Sequence, residues 1–299
     1  MTIKTLLLLA LTAVALFYLA VWVHAILRER AENQTVTPSP VQIAIGVIAN
    51  FFDTFGIGSF ATTTAMWRNL KMIRDERLPG TLNVGHTLPT IAQAFIFIQA
   101  VEVDIRTLLA LIAAAVLGMT IGAKYVATWP RRRVQYGMSI ALFVAAGLFI
   151  REIYLAYTQQ STPASGALAL TGGLLMLGFL GNFALGALMS LGIGLYGPCM
   201  IMISLLGMNP KAAFPIMMGS CAFLMPMGST QYIKQKGYDL RAALGLAIGG
   251  IPAVLIAVYL VKKMDITYVR WVIVAVVLYT AISLLRSAIS QSKNSSEKA

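Results

Sequence analysis

The chain has 299 residues, of which 58% are apolar and only 11% carry a charge. A soluble domain has roughly 25% charged residues, so this composition excludes an ordinary soluble domain and predicts an all-α polytopic membrane protein. The formal net charge of +12 comes from Lys and Arg in short loops beside apolar runs. Lys and Arg in short loops typically set the orientation of a membrane protein, so we expect a lipid bilayer as a partner and no nucleic acid.

The first predicted element is an N-terminal anchor helix within residues 1–36. Its uncharged run, Thr5–Val23, is too long for a typical signal-peptide core. Six further apolar runs come close to the roughly 20 residues that cross a bilayer core, and a polar tail follows at 291–299. These predicted crossings are Leu78–Val101, Thr107–Ala123, Val134–Ile150, Ala212–Ile233, Ala242–Val261 and Trp271–Leu285.

Two stretches at matching positions predict an internal duplication. Residues 50–60 recur at 186–196, so that Gly56-Ile57-Gly58 aligns with Gly192-Ile193-Gly194, 136 positions later. Asp104 aligns with Asp239 at an offset of 135. We therefore expect repeat one at 37–160 and repeat two at 161–290. A glycine-broken apolar segment at matching positions in two halves is a pointer to a transporter's binding site.

The loop charges predict how the two glycine-broken segments, Val41–Trp67 and Leu168–Leu206, lie in the membrane. If each segment enters and returns on the same side, 16 Lys and Arg residues fall inside and 7 outside; if each crosses, the division is 10 to 13. The positive-inside rule favours the first arrangement. One anchor helix and three crossings per repeat then remain. An odd number of crossings per repeat inverts the second repeat relative to the first. The N-terminus is predicted outside and the C-terminus in the cytoplasm of a cell (inner) membrane.

The two glycine tips are predicted to bind a small anion at the midplane. Irregular backbone inside a bilayer is tolerated only within protein or beside a water-filled cavity. Short helices are predicted after the tips, at Ser59–Thr64 and Leu195–Met200, and a helix start presents N–H groups and a partial positive charge. The alternative is that the glycines only allow close helix packing. The predicted substrate-binding residues are Gly56, Gly58, Ser59, Thr62, Thr63, Asn83, His86, Thr87, Gly192, Gly194, Tyr196, Gly197, Cys199 and Ser220.

Asp53 and His86 are the predicted proton-coupling groups. Asp53 is the only acid in its apolar segment, and ionisable groups inside membranes often mark pathways or proton relays. An anion beside this carboxylate is expected to bind when Asp53 is protonated. The alternatives are a helix cap for Asp53 and a packed core residue for His86. Gln93 is predicted to form an interhelical hydrogen bond rather than to line the same path as His86. Asn50 either lines the path or forms an interhelical hydrogen bond itself.

These residues together resemble the TauE/SafE sulfite exporter family of anion transporters. The resemblance rests on the duplicated Gly-Ile-Gly segments, a small-residue second span and an Asp-aliphatic-Arg at the next helix start, and it covers residues 41–290. It implies export of sulfite, a sulfonate, a carboxylate or a related small anion, with no cofactor, and a homo-oligomer is compatible with it. Ser59-Phe60 and Leu195-Tyr196 replace further glycines of the family pattern, which indicates a divergent branch.

Two other classes of function stay open at the level of the sequence. A passive anion channel would use the same helix starts to line a pore. An intramembrane enzyme would need a catalytic set, for which Asp53, His86 and Cys199 or Cys221 are the candidates. The chain has only two histidines and no His-Glu-x-x-His motif, so we predict neither an enzyme nor a metal site.

Overall fold

The structure is a computed structural model that describes residues 2–32, 35–74, 76–126, 128–158, 166–189 and 193–296. In these ranges the regular secondary structure is helical, apart from an isolated parallel bridge between Ala167 and Met208. The predicted all-α class is confirmed. The helices are α1 (Ile3–Ala31), α2 (Pro40–Thr54), α3 (Ser59–Asn69), α4 (Leu78–Ala100), α5 (Ile105–Leu117), α6 (Ala123–Val126), α7 (Arg131–Thr158), α8 (Gly172–Leu188), α9 (Tyr196–Leu205), α10 (Ala213–Lys234), α11 (Leu240–Lys263) and α12 (Ile266–Ser296).

Six helical spans in the described ranges are long and apolar enough to cross a membrane, so the predicted multi-pass membrane protein is confirmed. The predicted crossing at Leu78–Val101 forms one continuous helix, α4, but α4 is not among the six. Its buried polar side chains, such as His86 and Gln93, lower its hydropathy. The six spans are Ile3–Ala31, Ile105–Gly122, Arg131–Leu155, Pro210–Lys234, Leu240–Lys263 and Ile266–Ser290.

Both glycine-broken segments divide into two short helices, as predicted. Helices α2 and α3 have 15 and 11 residues, and α8 and α9 have 17 and 10, so each is shorter than the roughly 20 residues of a full crossing. Helix α3 begins at the predicted Ser59, whereas α9 begins at Tyr196, one residue after the predicted start. Both helices run five residues beyond their predicted ends, Thr64 and Met200.

By its contacts the chain divides into two compact units. Unit 1 comprises Met1–Ala100 and Met218–Lys263, and unit 2 comprises Val101–Met217 and Met264–Ala299. Each unit therefore contains segments of both predicted repeats. The bounds 37–160 and 161–290 remain a prediction about duplication, since contacts do not follow repeat boundaries.

Helices α2 and α11 pack closely in unit 1 and run in the same direction. A Cβ atom built on Gly46 would lie 2.6 Å from the Gly245 carbonyl oxygen, and one built on Gly249 would collide with the Ile43 carbonyl. The contact positions advance together, because residues 42–46 meet 245–246 and residue 50 meets 250. These glycines bring the two backbones together, as small residues do in membrane proteins.

The end of α3 lies beside the starts of α4 and α11. Trp67, near the last turn of α3, is fully buried in one cluster with Leu78 at the start of α4 and Ala242 at the start of α11. Helix α2 runs parallel to α11, so its start lies at this end as well. The first glycine-broken segment thus begins and ends at the same end of unit 1, which favours a segment that returns to the side it entered.

Unit 2 contains a matching helix pair, α5 and α8. Asn182 Nδ2 donates to the Leu111 carbonyl oxygen at 2.7 Å, and a Cβ atom on Gly186 would collide with the Ala115 carbonyl. Under the offsets of 136 and 135, Asn182 aligns with Gly46 and Leu111 aligns with Leu246. The contact between α8 and α5 in unit 2 is therefore the counterpart of the contact between α2 and α11 in unit 1.

Candidate anion-binding site

The first glycine tip connects α2 to α3 through a turn that requires glycine at two positions. Gly56 and Gly58 have φ angles of 96° and 85°, a left-handed region in which a side chain costs free energy. Gly58 is the N-cap residue of α3 and provides no side-chain hydrogen bond to the helix start. That role falls to Asp53, whose Oδ1 accepts a hydrogen bond from the Ser59 backbone N–H at 2.6 Å.

Asp53 is 2% exposed and is held on its other side by α4. Gln93 Nε2 donates to Asp53 Oδ2 and to Thr54 Oγ1, both at 3.1 Å. The predicted interhelical hydrogen bond of Gln93 is therefore confirmed. The structure also shows the helix-cap role that was the alternative for Asp53. A capping carboxylate remains ionisable, so the cap does not exclude the predicted proton coupling.

His86 lies in a second chain of buried hydrogen bonds that joins α2, α3 and α4. Its Nδ1 is 2.9 Å from Asn50 Oδ1 and its Nε2 is 3.0 Å from Thr63 Oγ1. Asn50 Nδ2 donates to the Gly46 and Leu246 carbonyl oxygens, so Asn50 Oδ1 must be the acceptor. A neutral His86 consequently donates from Nδ1 and accepts the Thr63 hydroxyl at Nε2.

The two chains of hydrogen bonds meet at Thr54, whose hydroxyl donates to the Asn50 carbonyl oxygen at 2.8 Å. The structure thus brings together Asp53, Ser59, Thr63 and His86, four of the predicted site residues. The other members, Asn50, Thr54 and Gln93, are equally buried. We call this set of seven side chains and backbone groups the Asp53–His86 network.

Among the remaining predicted residues of unit 1, Thr62 contacts this network through the Ser59 backbone. Thr62 donates to the Ser59 carbonyl oxygen at 2.9 Å, and Asn83 donates to the Pro79 carbonyl oxygen within its own helix. Thr87 Oγ1 lies 2.9 Å from Ser229 Oγ of α10. Ser220 is fully buried in α10.

The second glycine tip, in unit 2, differs from the first in its polar groups. The predicted Gly192 lies outside the described residues. Tyr196 and Cys199 are buried in α9, and Met189 stands where the first repeat has Asp53. Gly197 allows close packing, since a Cβ atom built on it would lie 2.6 Å from Thr280 Oγ1 of α12.

Gly58 and Gly194 are the tip glycines that close packing does not explain. Among the described residues, a Cβ atom built on either one would have no heavy atom within 4 Å, apart from its chain neighbours. Both glycines stand at equivalent positions of the predicted duplication, just before a short helix. Open space beside the backbone at both positions is what a ligand site at the tips requires.

The electrostatics of the first tip combine a helix start with one acidic group. The start of α3 carries a partial positive charge that attracts oxyanions. Apart from Asp53, the side chains of the Asp53–His86 network carry no formal charge when His86 is neutral. An anion at this helix start would therefore compete with the Asp53 carboxylate for the Ser59 N–H group.

Polar side chains that recur on one face of a helix would have identified the network residues that the sequence reasoning left out of the site. On α4, polar side chains recur at 83, 86, 87, 90 and 93, and on α2 at 50, 53 and 54. Residues three and four positions apart share one face of a helix. Asn50, Thr54 and Gln93 belong to these polar faces. Ser229, which lies beside Thr87 outside the network, gave no comparable signal.

Comparison with protein families places the first tip and its network in a known family. The model of the family "Sulfite exporter TauE/SafE" matches residues 1–149. The predicted TauE/SafE family is confirmed over this range. The match begins before the predicted residue 41 and ends well before 290, so the second tip lies beyond it. No match was found among curated proteins or among solved structures.

TauE/SafE membership makes this chain a membrane transporter of the sulfite or anion exporter type. The TauE/SafE match includes α1 to α6 and about two thirds of α7. The whole Asp53–His86 network therefore lies within the part of the chain that carries the family signature.

Proposed function

We propose that this protein is a secondary carrier that exports a small anion, such as sulfite, a sulfonate or a carboxylate, bound at the glycine tips. The observation that carries the proposal is the 2.6 Å hydrogen bond from the Ser59 N–H group to Asp53 Oδ1. It shows that the start of α3 already holds a carboxylate. Sulfite, sulfonates and carboxylates offer the same charged oxygen acceptors to such a helix start.

Proton coupling follows from competition for the same helix start. An ionised Asp53 occupies the Ser59 N–H group and repels an incoming anion. Protonation removes this charge and releases the N–H group to the substrate, while Gln93 and Thr54 remain beside the carboxyl group. One proton would then accompany each anion into the site.

The matching helix pairs support a duplicated carrier. Helices α2 and α11 in unit 1, and α8 and α5 in unit 2, pair through glycine and asparagine residues at equivalent positions. Carriers built from inverted repeats bind their substrates at broken helices near the repeat interface. The open positions at Gly58 and Gly194 are consistent with one such broken helix in each repeat.

Counterflow in proteoliposomes tests the proposal. Vesicles loaded with unlabelled sulfite and diluted into a trace of [³⁵S]sulfite should accumulate the label transiently, because a carrier exchanges one anion for another. With the membrane potential clamped at zero by valinomycin and equal K⁺ on both sides, a channel would let the label equilibrate without an overshoot. Vesicles lacking the protein provide the baseline, and a sulfonate and acetate are tested in parallel. Absence of an overshoot with all three anions would refute the carrier.

A further inference from the structure

An open cavity of about 320 Å³ lies at the end of α3, lined by Arg68, Lys71, Met72, Ile73 and Arg74. Three of its five lining side chains are cationic, and Lys71 and Arg74 are exposed. A water molecule occupies about 30 Å³ in the liquid, so the cavity is large enough for a small oxyanion together with several waters. Its charge complements an anion.

Lys71 is held in a backbone conformation that favours glycine. Its φ angle is 50°, and it occupies the left-handed position of a Schellman motif, in which Lys71 N–H donates to the Arg68 carbonyl and Met72 N–H donates to the Trp67 carbonyl. Glycine is the usual residue at this position because a Cβ atom is disfavoured there. The Lys71 side chain is therefore kept at a cost in backbone free energy, and the cavity that it lines gives this side chain a use.

The second repeat shows that the hairpin end folds without these cations. Helix α9 ends in the same hydrogen-bond pattern, and the residue equivalent to Lys71, 136 positions later, is Gly207 with a φ angle of 81°. At the same offset Ser204 replaces Arg68 and Pro210 replaces Arg74. All three cations are therefore particular to the first hairpin.

We propose that Arg68, Lys71 and Arg74 form a collecting site that attracts small oxyanions, doubly charged ones most strongly, to the end of the first hairpin. The inference rests on the proposed function, since it supplies the anion carrier with substrate. Cations around a concave surface raise the local concentration of anions and their rate of association. Under the predicted topology this end faces the cytoplasm, the side from which an exporter takes its substrate.

The positive-inside rule is the competing explanation for the same cations. It explains why Lys and Arg occur in this loop, but it does not explain a lysine at a left-handed position. A cation one or two residues away would orient the protein equally well without the backbone cost. The position of Lys71 therefore favours a role for its side chain in the cavity.

Lys71→Gly is the decisive variant, because it removes the charge and relaxes the backbone at once. In inverted membrane vesicles at low ionic strength, it should raise the KM for [³⁵S]sulfite by about 3- to 10-fold and leave kcat unchanged. The increase should largely vanish at about 0.5 M salt, where charges are screened within a few ångströms. Arg74→Gln should behave in the same way, and Lys71→Arg should retain the wild-type KM.

Lys236→Gly is the matched control. Lys236 also has a left-handed backbone, with a φ angle of 51°, but it does not line this cavity and pairs with Glu32 at 3.4 Å. It should leave the KM unchanged. A wild-type KM for both Lys71→Gly and Arg74→Gln at low ionic strength would overturn the collecting site alone. An increase in KM of the same size at low and at high salt would overturn it as well. Absence of transport of sulfite, a sulfonate and acetate by the wild type would instead overturn the proposed function and the collecting site with it.

Discussion

Asp53 combines two roles that are usually separate, a helix cap and an intramembrane acid. Its Oδ1 caps α3 at Ser59 and its Oδ2 accepts from Gln93 of α4. An asparagine can cap the helix when no anion is bound, since Asn and Asp cap helices equally well, but it carries no charge that would repel an anion or hold the Ser59 N–H group against one. The two roles therefore separate on substitution to asparagine.

We predict that Asp53→Asn binds sulfite and exchanges it at a rate that no longer varies with pH. The wild type should exchange faster at acidic than at alkaline pH, because protonation of Asp53 clears the helix start. The measurement is sulfite counterflow in proteoliposomes between pH 5 and pH 8.

Asp104→Asn is the control for the Asp53 variant. Asp104 caps α5 through the Thr107 N–H group at 2.9 Å and lies in a loop outside the network. Its variant should keep the wild-type pH profile. If Asp53→Asn also kept that profile, Asp53 would be a structural cap without a part in coupling.

His86 should contribute strongly to stability, because both of its ring nitrogens have buried partners. We predict that His86→Ala lowers the free energy of unfolding by about 2–4 kcal/mol, since Asn50 Oδ1 and Thr63 Oγ1 each lose a partner in a buried site. Thermal unfolding in detergent, followed by circular dichroism, measures the loss.

Asn83→Ala is the matched control on the same helix. Asn83 is half-buried, and its side chain donates to the Pro79 carbonyl oxygen of its own helix, so the loss of this side chain should cost under about 1 kcal/mol. Equal losses for the two variants would contradict the assignment of His86 to a buried network.

At the scale of elements, the glycines of the broken segments and their partner helices differ in their surroundings. Gly46, Gly186 and Gly249 bring helices together, whereas Gly58 and Gly194 face open space. We predict that Gly194→Leu and Gly58→Leu abolish sulfite binding in proteins that still insert and purify as folded. A side chain at either tip would fill the space that the substrate needs.

The strain at Gly58 makes Gly194→Leu the cleaner of these two tests, because Gly194 does not have a positive φ angle. Gly249→Ala is the contrasting variant, and overpacking against the Ile43 carbonyl should destabilise it by about 1–3 kcal/mol. Binding by equilibrium dialysis and folding by size-exclusion chromatography distinguish the outcomes. Wild-type affinity for sulfite in folded Gly194→Leu would show that Gly194 does not border the substrate.

For the whole molecule, contacts at helix ends agree with the topology predicted from loop charges. In unit 1, Lys236 pairs with Glu32 at 3.4 Å, which places the end of α1 beside the end of α10. Arg241 Nε donates to the Thr37 carbonyl oxygen at 2.9 Å, at the same end. Lys4 Nζ donates to the Gln99 carbonyl oxygen at 3.3 Å, where α1 begins and α4 ends.

We predict that Arg74 and Arg132 both face the cytoplasm. Single cysteines at these positions, in a protein whose Cys199 and Cys221 are replaced by alanine, should resist an impermeant maleimide in intact cells and react after permeabilisation. A cysteine at Lys211, predicted outside, should react in intact cells. Labelling of position 74 in intact cells would disprove the returning hairpin of repeat one.

Much of the fold could be predicted because it depends on local properties of the sequence. Hydropathy alone located most of the crossing helices, and the glycines located the breaks that precede α3 and α9. Helix α4 was predicted as a crossing, but its polar face lowers its hydropathy. That polar face is the part of α4 that contributes to the Asp53–His86 network.

The sequence by itself determined the membrane class, the positions of the broken helices and the family, because hydropathy and the conformational freedom of glycine act over a few residues. Only the tertiary structure decided which glycines pack and which are open, and that Asp53 caps Ser59 while Gln93 holds it. These outcomes depend on groups that are far apart in the chain, such as Asn50 and the Leu246 carbonyl, 196 positions away. Such contacts arise only when α2 and α11 meet, so a local pattern cannot specify them.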